Sequence, residues 1–338
     1  MRQITILGPG SWGTALAILL AAKDELEVTL WGRDGARIAE LRRDGQNQRY
    51  LPGVPVPERI HITDELESAL RGAEAVVFAV PASALAAVAL EAAPFLGPRV
   101  LHVCATKGMD PETLQRPSEI LAGALSGNGS DLPLRIAVLA GPSLAREVAR
   151  FQPTAVVAAA ANQADAVAAR DLFHSDSFRV YSNTDVIGVE SGVAVKNVIA
   201  IAAGMGDGLG LGDNARGALV TRGLAEMTRF GVRFGARAET FYGLAGMGDL
   251  VATCGSRLSR NRHVGEELGR GRPLARVLGD MVHVAEGVPT ARAVYQLAQG
   301  FSIEMPITAQ VHAVLYEGQD ARSMLGTLMS RQPKSEVG

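Results

Sequence analysis

The stretch Ile4-Thr5-Ile6-Leu7-Gly8-Pro9-Gly10-Ser11-Trp12-Gly13-Thr14-Ala15-Leu16-Ala17 decides the reading of this chain. It starts as a short apolar run of strand character, breaks into glycines, and continues as an Ala/Leu-rich helix former. Gly8, Gly10 and Gly13 have the G-x-G-x-x-G spacing of a dinucleotide-binding turn. The first glycine permits a tight strand-to-helix turn, the second lets the backbone approach a pyrophosphate, and the third lets the helix lie close to its strand. Ser11 and Trp12 open the helix, where unpaired N–H groups and a partial positive charge suit phosphate. Glycine is common, so the spacing alone is weak; a strand before it and a helix after it make it specific.

Outward from the turn, Glu27–Trp31 reads as a second strand, ending on Gly32-Arg33-Asp34. An acid at that end bonds the adenosine ribose in NAD-specific folds. Here Gly32 and Arg33 occupy the place, and Arg33 either pairs with a ribose 2′-phosphate or stacks on adenine and faces solvent. The cofactor is therefore NAD or NADP. Asp34–Asp44 reads as helix, and Gln46–Arg59, with three prolines, as an extended loop. Further strands are predicted at Ala75–Pro81, Val100–Ala105, Arg135–Leu139, Thr154–Ala159 and Phe178–Tyr181, with helices at Ser83–Ala92 and Glu112–Leu125. The alternation implies a mostly parallel, doubly wound sheet of Rossmann type over residues 1–184. Past Asn183 no strand is legible. Helices are predicted at Val186–Ala203, Ala215–Phe234, Arg260–Gly269, Thr290–Gln299, Ile307–Tyr316 and Ala321–Met329. Residues 185–338 form the expected all-α domain, ending in a polar, frayed tail from Arg331.

With 338 residues, two domains are expected. A hydrophobic share of 47%, a charged share of 20% and a net charge of −2 give no bulk reason to bind nucleic acid or anionic membranes. The N-terminus shows no secretory pattern, and Glu190 and Lys196 interrupt the longest apolar run, so no membrane insertion is expected. Cys104 and Cys254 lack metal-ligand spacing and read as buried free thiols of a reducing compartment, the cytoplasm. Only Lys23, Lys107, Lys196 and Lys334 are lysines among 33 basic residues. Lys23 and Lys334 read as surface residues. A lysine kept in an apolar or Gly-rich setting invites a reason specific to lysine, which gives up a proton near neutral pH when desolvated as arginine does not.

Three further stretches carry chemistry. Cys104-Ala105-Thr106-Lys107-Gly108 ends a parallel strand, the edge where open α/β sheets bind ligands. Lys196-Asn197 interrupts a Val/Ile/Ala-rich helix, so Lys196 is either a buried proton donor or acceptor or part of a polar stripe reaching water. Gly243-Leu244-Ala245-Gly246-Met247-Gly248-Asp249-Leu250 leads through Thr253 to Ser259-Arg260-Asn261. Ser259 as N-cap would place Arg260 and Asn261 in a first helical turn fit for phosphate, and Asp249 would orient a lysine or a substrate hydroxyl. A tight turn at Gly246–Asp249 and simple capping by Ser259 are the bland alternatives.

GPGSWGTALA, ATKG, GPS (Gly141-Pro142-Ser143), VKN, GMGDL and SRN, in this order, resemble the bacterial NAD(P)-dependent glycerol-3-phosphate dehydrogenases. The resemblance runs from Ile4 to about Leu325. It implies that Lys196 exchanges the proton with the substrate oxygen, and that Lys107 contacts both substrate and cofactor. It implies substrate contacts for Gly141, Ser143, Asp249, Thr253, Ser259, Arg260 and Asn261, with the last three seating the phosphate. Cofactor contacts are implied for Ser11, Trp12, Arg33, Tyr50, Ala145, Arg260, Val284 and Glu286. A small phosphorylated three-carbon substrate, a role in phospholipid synthesis and a homodimer through the helical domain are implied too. The competing readings are a β-hydroxyacid or sugar-acid dehydrogenase of the same architecture, and an NAD(P)-sensing protein without turnover.

Overall fold

A computed structural model describes residues 1–126, 133–282, 284–333 and 335. His283, Lys334 and the end of the polar tail lie outside the described residues. The first half runs β1 (Arg2–Leu7), α1 (Ser11–Ala21), β2 (Leu26–Trp31), α2 (Gly35–Asp44), β3 (His61–Thr63), α3 (Leu66–Leu70), β4 (Ala75–Phe78), α4 (Ala82–Ala92), β5 (Leu101–Cys104), α5 (Pro117–Leu125), β6 (Arg135–Ala140), α6 (Ala145–Val148), β7 (Thr154–Ala160), α7 (Gln163–Phe173) and β8 (Phe178–Asn183). Then come α8 (Val186–Gly208), α9 (Asp213–Arg233), α10 (Asp249–Gly255), α11 (Arg260–Gly269), α12 (Leu274–Asp280), α13 (Gly287–Gly300), α14 (Pro306–Tyr316) and α15 (Ala321–Met329).

The eight strands form one sheet in the order β3-β2-β1-β4-β5-β6-β7-β8. All neighbours are parallel except β6 and β7, which are antiparallel. The chain order reverses between β1 and β4, so the crevice beyond their carboxyl ends is the place where such sheets hold a ligand. Both sheet faces are covered, which is why β4 and β5 are buried at every residue. One face sets Ile6, Val77, Val103 and Leu139 against Leu16 and Leu20 of α1 and Phe173 of α7. The other sets Phe78, Cys104 and Val138 against Leu85 of α4, Leu121 of α5 and Val189 and Val193 of α8. Each such side chain contributes about 1.5–3 kcal/mol by leaving water.

Helix α8 enters two cores: its start lies under the sheet, and its later turns hold Val198, Ile201 and Met205 among α9, α11, α13 and α14. Glycines set how closely it meets α11. A Cβ on Gly204 or Gly208 would collide with the backbone of α11, and one on Gly265 or Gly269 with that of α8. By length and composition α8 could cross a membrane, its charges notwithstanding, but 89% of its apolar window is buried inside the protein. It is the axis of the helical half. Both cysteines are free and buried.

The helix expected from Glu112 begins only at Pro117. Asp110 Oδ1 accepts the Glu112 and Thr113 N–H groups, Leu114 has φ +60°, and Arg116, which precedes the proline, is extended. The helix expected over Val186–Ala203 continues to Gly208. Elements as short as β3, α3 and α6 carry no period long enough to read.

Candidate active site

The glycine turn joins β1 to α1. Gly8 has φ +112°, and a Cβ there would press on the Ala79 carbonyl; one on Gly13 would strike the Gly8 carbonyl. Gly10 differs: a Cβ there meets nothing within 4 Å. No protein atom requires a glycine at this position, so the space is fit for a ligand that approaches the backbone. Gly10 is also the N-cap of α1 and provides no side-chain cap, which leaves first-turn N–H groups for an anion. Asn47 holds the turn from behind, donating to the Pro9 carbonyl and to Thr14 Oγ1, each at 2.8 Å. Gly32 stands where an acid was expected because the Pro9 ring fills the space beside it. Arg33 beyond it is exposed, and Tyr50 accepts from Arg37 at 2.9 Å.

The catalytic candidates converge from both halves of the chain. Lys196 of α8 is 3% exposed; its Nζ donates to Thr253 Oγ1 at 2.7 Å and pairs with Asp249 Oδ1 at 2.7 Å. Thr253, one turn beyond Asp249 on α10, donates to the same oxygen at 3.1 Å. Where a tight turn at Gly246–Asp249 was the bland alternative, a single π-helical turn, Leu244–Gly248, runs into α10. Its glycines serve approach: a Cβ on Gly246 would meet the Phe241 backbone, and one on Gly192 of α8 the Ala245 carbonyl. This brings Asp249 down onto Lys196.

Lys107 arrives from the sheet side, on the loop after β5, where Thr106 Oγ1 donates to the Val80 carbonyl at 2.9 Å. Its Nζ lies 3.8 Å from Asp249 Oδ2, 3.2 Å from Ser143 Oγ and 5.8 Å from the Trp12 ring centre. Burial lowers its pKa to about 8; Asp249 opposes this, and the cations Lys196 and Arg260 add to it. Gly141, at φ +133°, accepts from Ser143 at 2.9 Å and so orients that hydroxyl. Ala145 follows at the start of α6.

Ser259 caps α11 by accepting the Arg262 N–H, which puts Arg260 and Asn261 in its first turn. Asn261 donates to Asn197 Oδ1 and accepts the Gly287 N–H, both at 2.9 Å, so it joins α8, α11 and α13. Glu286 stands just before α13 near Arg260; burial pushes its carboxyl up to about 7 while Arg260 pulls it back. Val284 is half exposed. Among the described residues, three buried polar atoms with no hydrogen-bond partner gather here: Trp12 Nε1, Asp249 Oδ2 and Thr290 Oγ1, the last lying against Gly108. Lys107, Lys196 and Arg260 against Asp249 and Glu286 leave an excess of positive charge, as an anionic substrate requires.

Two family descriptions match this chain. The N-terminal part of NAD-dependent glycerol-3-phosphate dehydrogenase matches residues 3–166, and its C-terminal part matches residues 185–326. The chain belongs to the NAD-dependent glycerol-3-phosphate dehydrogenase family. It is 50% identical over 335 residues to the glycerol-3-phosphate dehydrogenase [NAD(P)+] of Geobacter sulfurreducens, covering 99% of each chain. Against that of Citrifermentans bemidjiense it is 48% identical over 335 residues, again 99% of each. The crystal structure of glycerol-3-phosphate dehydrogenase from Coxiella burnetii superposes with a TM-score of 0.92 at 41% identity, over 98% of this chain and 99% of that one.

Within this glycerol-3-phosphate dehydrogenase fold, Lys107, Gly141, Ser143, Lys196, Asp249 and Thr253 form one connected cluster, with Trp12 at its edge. Asn197 stood beside Lys196 in the sequence reading, but Asn47 and Thr290 were not singled out: Asn47 bonds Pro9 and Thr14, more than 30 residues away, and Thr290 lies across the fold against Gly108.

Proposed function

We propose that this chain interconverts dihydroxyacetone phosphate and sn-glycerol 3-phosphate with NAD(P)H, supplies glycerol 3-phosphate to phospholipid synthesis, and works as a cytoplasmic homodimer. The observation that carries the reading is a buried Lys196–Asp249–Thr253 cluster facing Lys107, beside a capped helix start that bears Arg260. The names of the relatives support the substrate, and the gap between the two matched segments supports a boundary at 184/185.

Gly8, Gly10, Ser11, Trp12, Gly13, Arg33, Tyr50, Ala145, Val284 and Glu286 would hold the dinucleotide, which would supply or accept the hydride at C2 of the substrate. Lys196 Nζ gives its proton to the C2 oxygen in reduction and takes it back in oxidation. Asp249 and Thr253 hold that amine in one place, so little reorganisation is needed as charge develops. Lys107 and Ser143 orient the substrate from the sheet side. Arg260, with the N–H groups at the start of α11, seats the phosphate and anchors the reacting carbon. A β-hydroxyacid or sugar-acid dehydrogenase needs no such seat, and a sensor without turnover needs no pair of lysines meeting at one buried carboxylate.

The Lys196→Met variant keeps the volume and removes the proton. It is expected to lose about 10²-fold or more in kcat, while cofactor affinity, followed by quenching of tryptophan fluorescence, stays near that of the parent. A variant retaining near-parental turnover of dihydroxyacetone phosphate would sink the assignment.

A further inference from the structure

One buried charge takes no part in this chemistry. Glu190 lies on α8, six residues before Lys196, and is 4% exposed. Its oxygens are all directed at the first turn of α5. Oε1 accepts the Ser118 N–H at 2.8 Å, and Oε2 accepts the Ser118 hydroxyl at 2.6 Å and Arg116 Nη1 at 2.9 Å. Arg116 is itself fixed: its N–H and Nη2 both donate to Glu119, at 2.8 and 2.6 Å. A desolvated ion pair is a poor source of stability compared with apolar packing of the same size, so its use is better sought in the geometry it sets.

That geometry concerns Lys107. The loop that carries it leaves β5 after Cys104 and ends where α5 begins at Pro117. Its near end is fixed by the sheet and by the bond from Thr106 to Val80. Met109 rests in the helical core. The far end is fixed to α8 by Glu190. We propose that Glu190 is a positioning residue: through Arg116 and Ser118 it ties the far end of the Lys107 loop to the helix that bears Lys196, and so sets the distance between the two lysines across Asp249. The inference rests on the reading that both lysines serve one substrate.

Lys107 reports on its own placement. The charged groups facing it are Asp249 of α10, Lys196 of α8 and Arg260 of α11, and burial among them depresses its pKa. A slackened loop lets the ammonium back toward water and raises its titration midpoint. The chain has only four lysines, so reductive ¹³C-methylation gives a spectrum in which Lys107 is assigned by its loss in Lys107→Arg.

In Glu190→Gln the amide still accepts the Ser118 N–H but presents N–H to Arg116. The Lys107 midpoint is expected to rise from about 8 by roughly one unit or more, with about a tenfold rise in KM for dihydroxyacetone phosphate, a smaller fall in kcat and an unchanged KM for the dinucleotide. Ser118→Ala removes a single hydroxyl and is expected to give the same changes at about a third of the size; it serves if Glu190→Gln does not fold. A folded variant with a lower Tm and a parental Lys107 midpoint would overturn the proposal, because a merely structural Glu190 predicts that outcome. The titration needs no substrate, so inactivity of the parent toward dihydroxyacetone phosphate would defeat the proposed reaction while leaving this test decisive.

Discussion

At the scale of residues, the proposed mechanism makes Lys107 the link between protonation and activity. Its pKa of about 8 lies below the ordinary lysine value of 10.5 because the site takes it out of water. Below pH 8 the ammonium is present to meet an anionic substrate; above it, the charge is lost. For the free enzyme, kcat/KM is expected to fall above about pH 8, by about tenfold per pH unit once well past the midpoint. Lys107→Arg, which keeps the charge, should remove that limb while losing some efficiency to altered geometry. The stability effect has the opposite sign. The unfolded lysine keeps its proton up to about 10.5, so between about 8 and 10.5 the unfolded state binds more protons, and the contribution of Lys107 to stability rises with pH. Rate profiles beside denaturant midpoints across pH 7–10.5 check both. Lysine scarcity and the apolar context of Lys196 made these two residues legible in the sequence. The identity of their shared partner was only half legible: Asp249 stood out by its Gly-rich surroundings, but that it touches Lys196 at 2.7 Å depends on a π turn that no sequence period announces.

At the scale of elements, α8 and α11 meet backbone to backbone because glycines recur at four-residue spacing on both, at 204 and 208 and at 265 and 269. This contact sets Asn261 against Asn197, the neighbour of Lys196, so a change far from solvent is felt in the candidate site. Gly265→Ala forces a Cβ into the Ile201 carbonyl and is expected to cost about 1–3 kcal/mol. Gly279→Ala, on α12 with nothing within 4 Å of the new Cβ, is expected to be neutral or to stabilise by about 0.4–1 kcal/mol. Urea denaturation of the two variants distinguishes close approach from ordinary helix propensity; equal effects would show that the glycines of α11 are not contact-determined. The long helices and buried strands were legible because their periods persist. The late start of α5 was not, since its sequence reads as helix until the Asx turn at Asp110 and Pro117 are weighed together.

At the scale of the whole molecule, the candidate site lies where two halves face each other. The sheet contributes the glycine turn, Lys107, Gly141 and Ser143; the helices contribute Lys196, Asp249, Thr253, Ser259, Arg260 and Asn261. The two halves are joined at this seam by α8, which enters both cores, and by the bonds from Glu190 to α5. From sequence, each half was legible by its own periodicity and motifs. What joined them was not, because the pairing from Glu190 to Ser118 spans 72 residues, that from Lys107 to Asp249 is longer still, and no local pattern records either. In the proposed reaction these halves together recognise a phosphate while acting on a carbonyl. The most direct test follows loss of NADPH or NADH absorbance with dihydroxyacetone phosphate and with unphosphorylated dihydroxyacetone, in the parent and in Arg260→Ala. Expected are oxidation of at least one cofactor by the parent with the phosphorylated substrate, a preference over the unphosphorylated one of about 10³-fold or more, and loss of most of that preference in Arg260→Ala. Equal rates with the two substrates in the parent, or no oxidation of either cofactor, would contradict the proposed reaction.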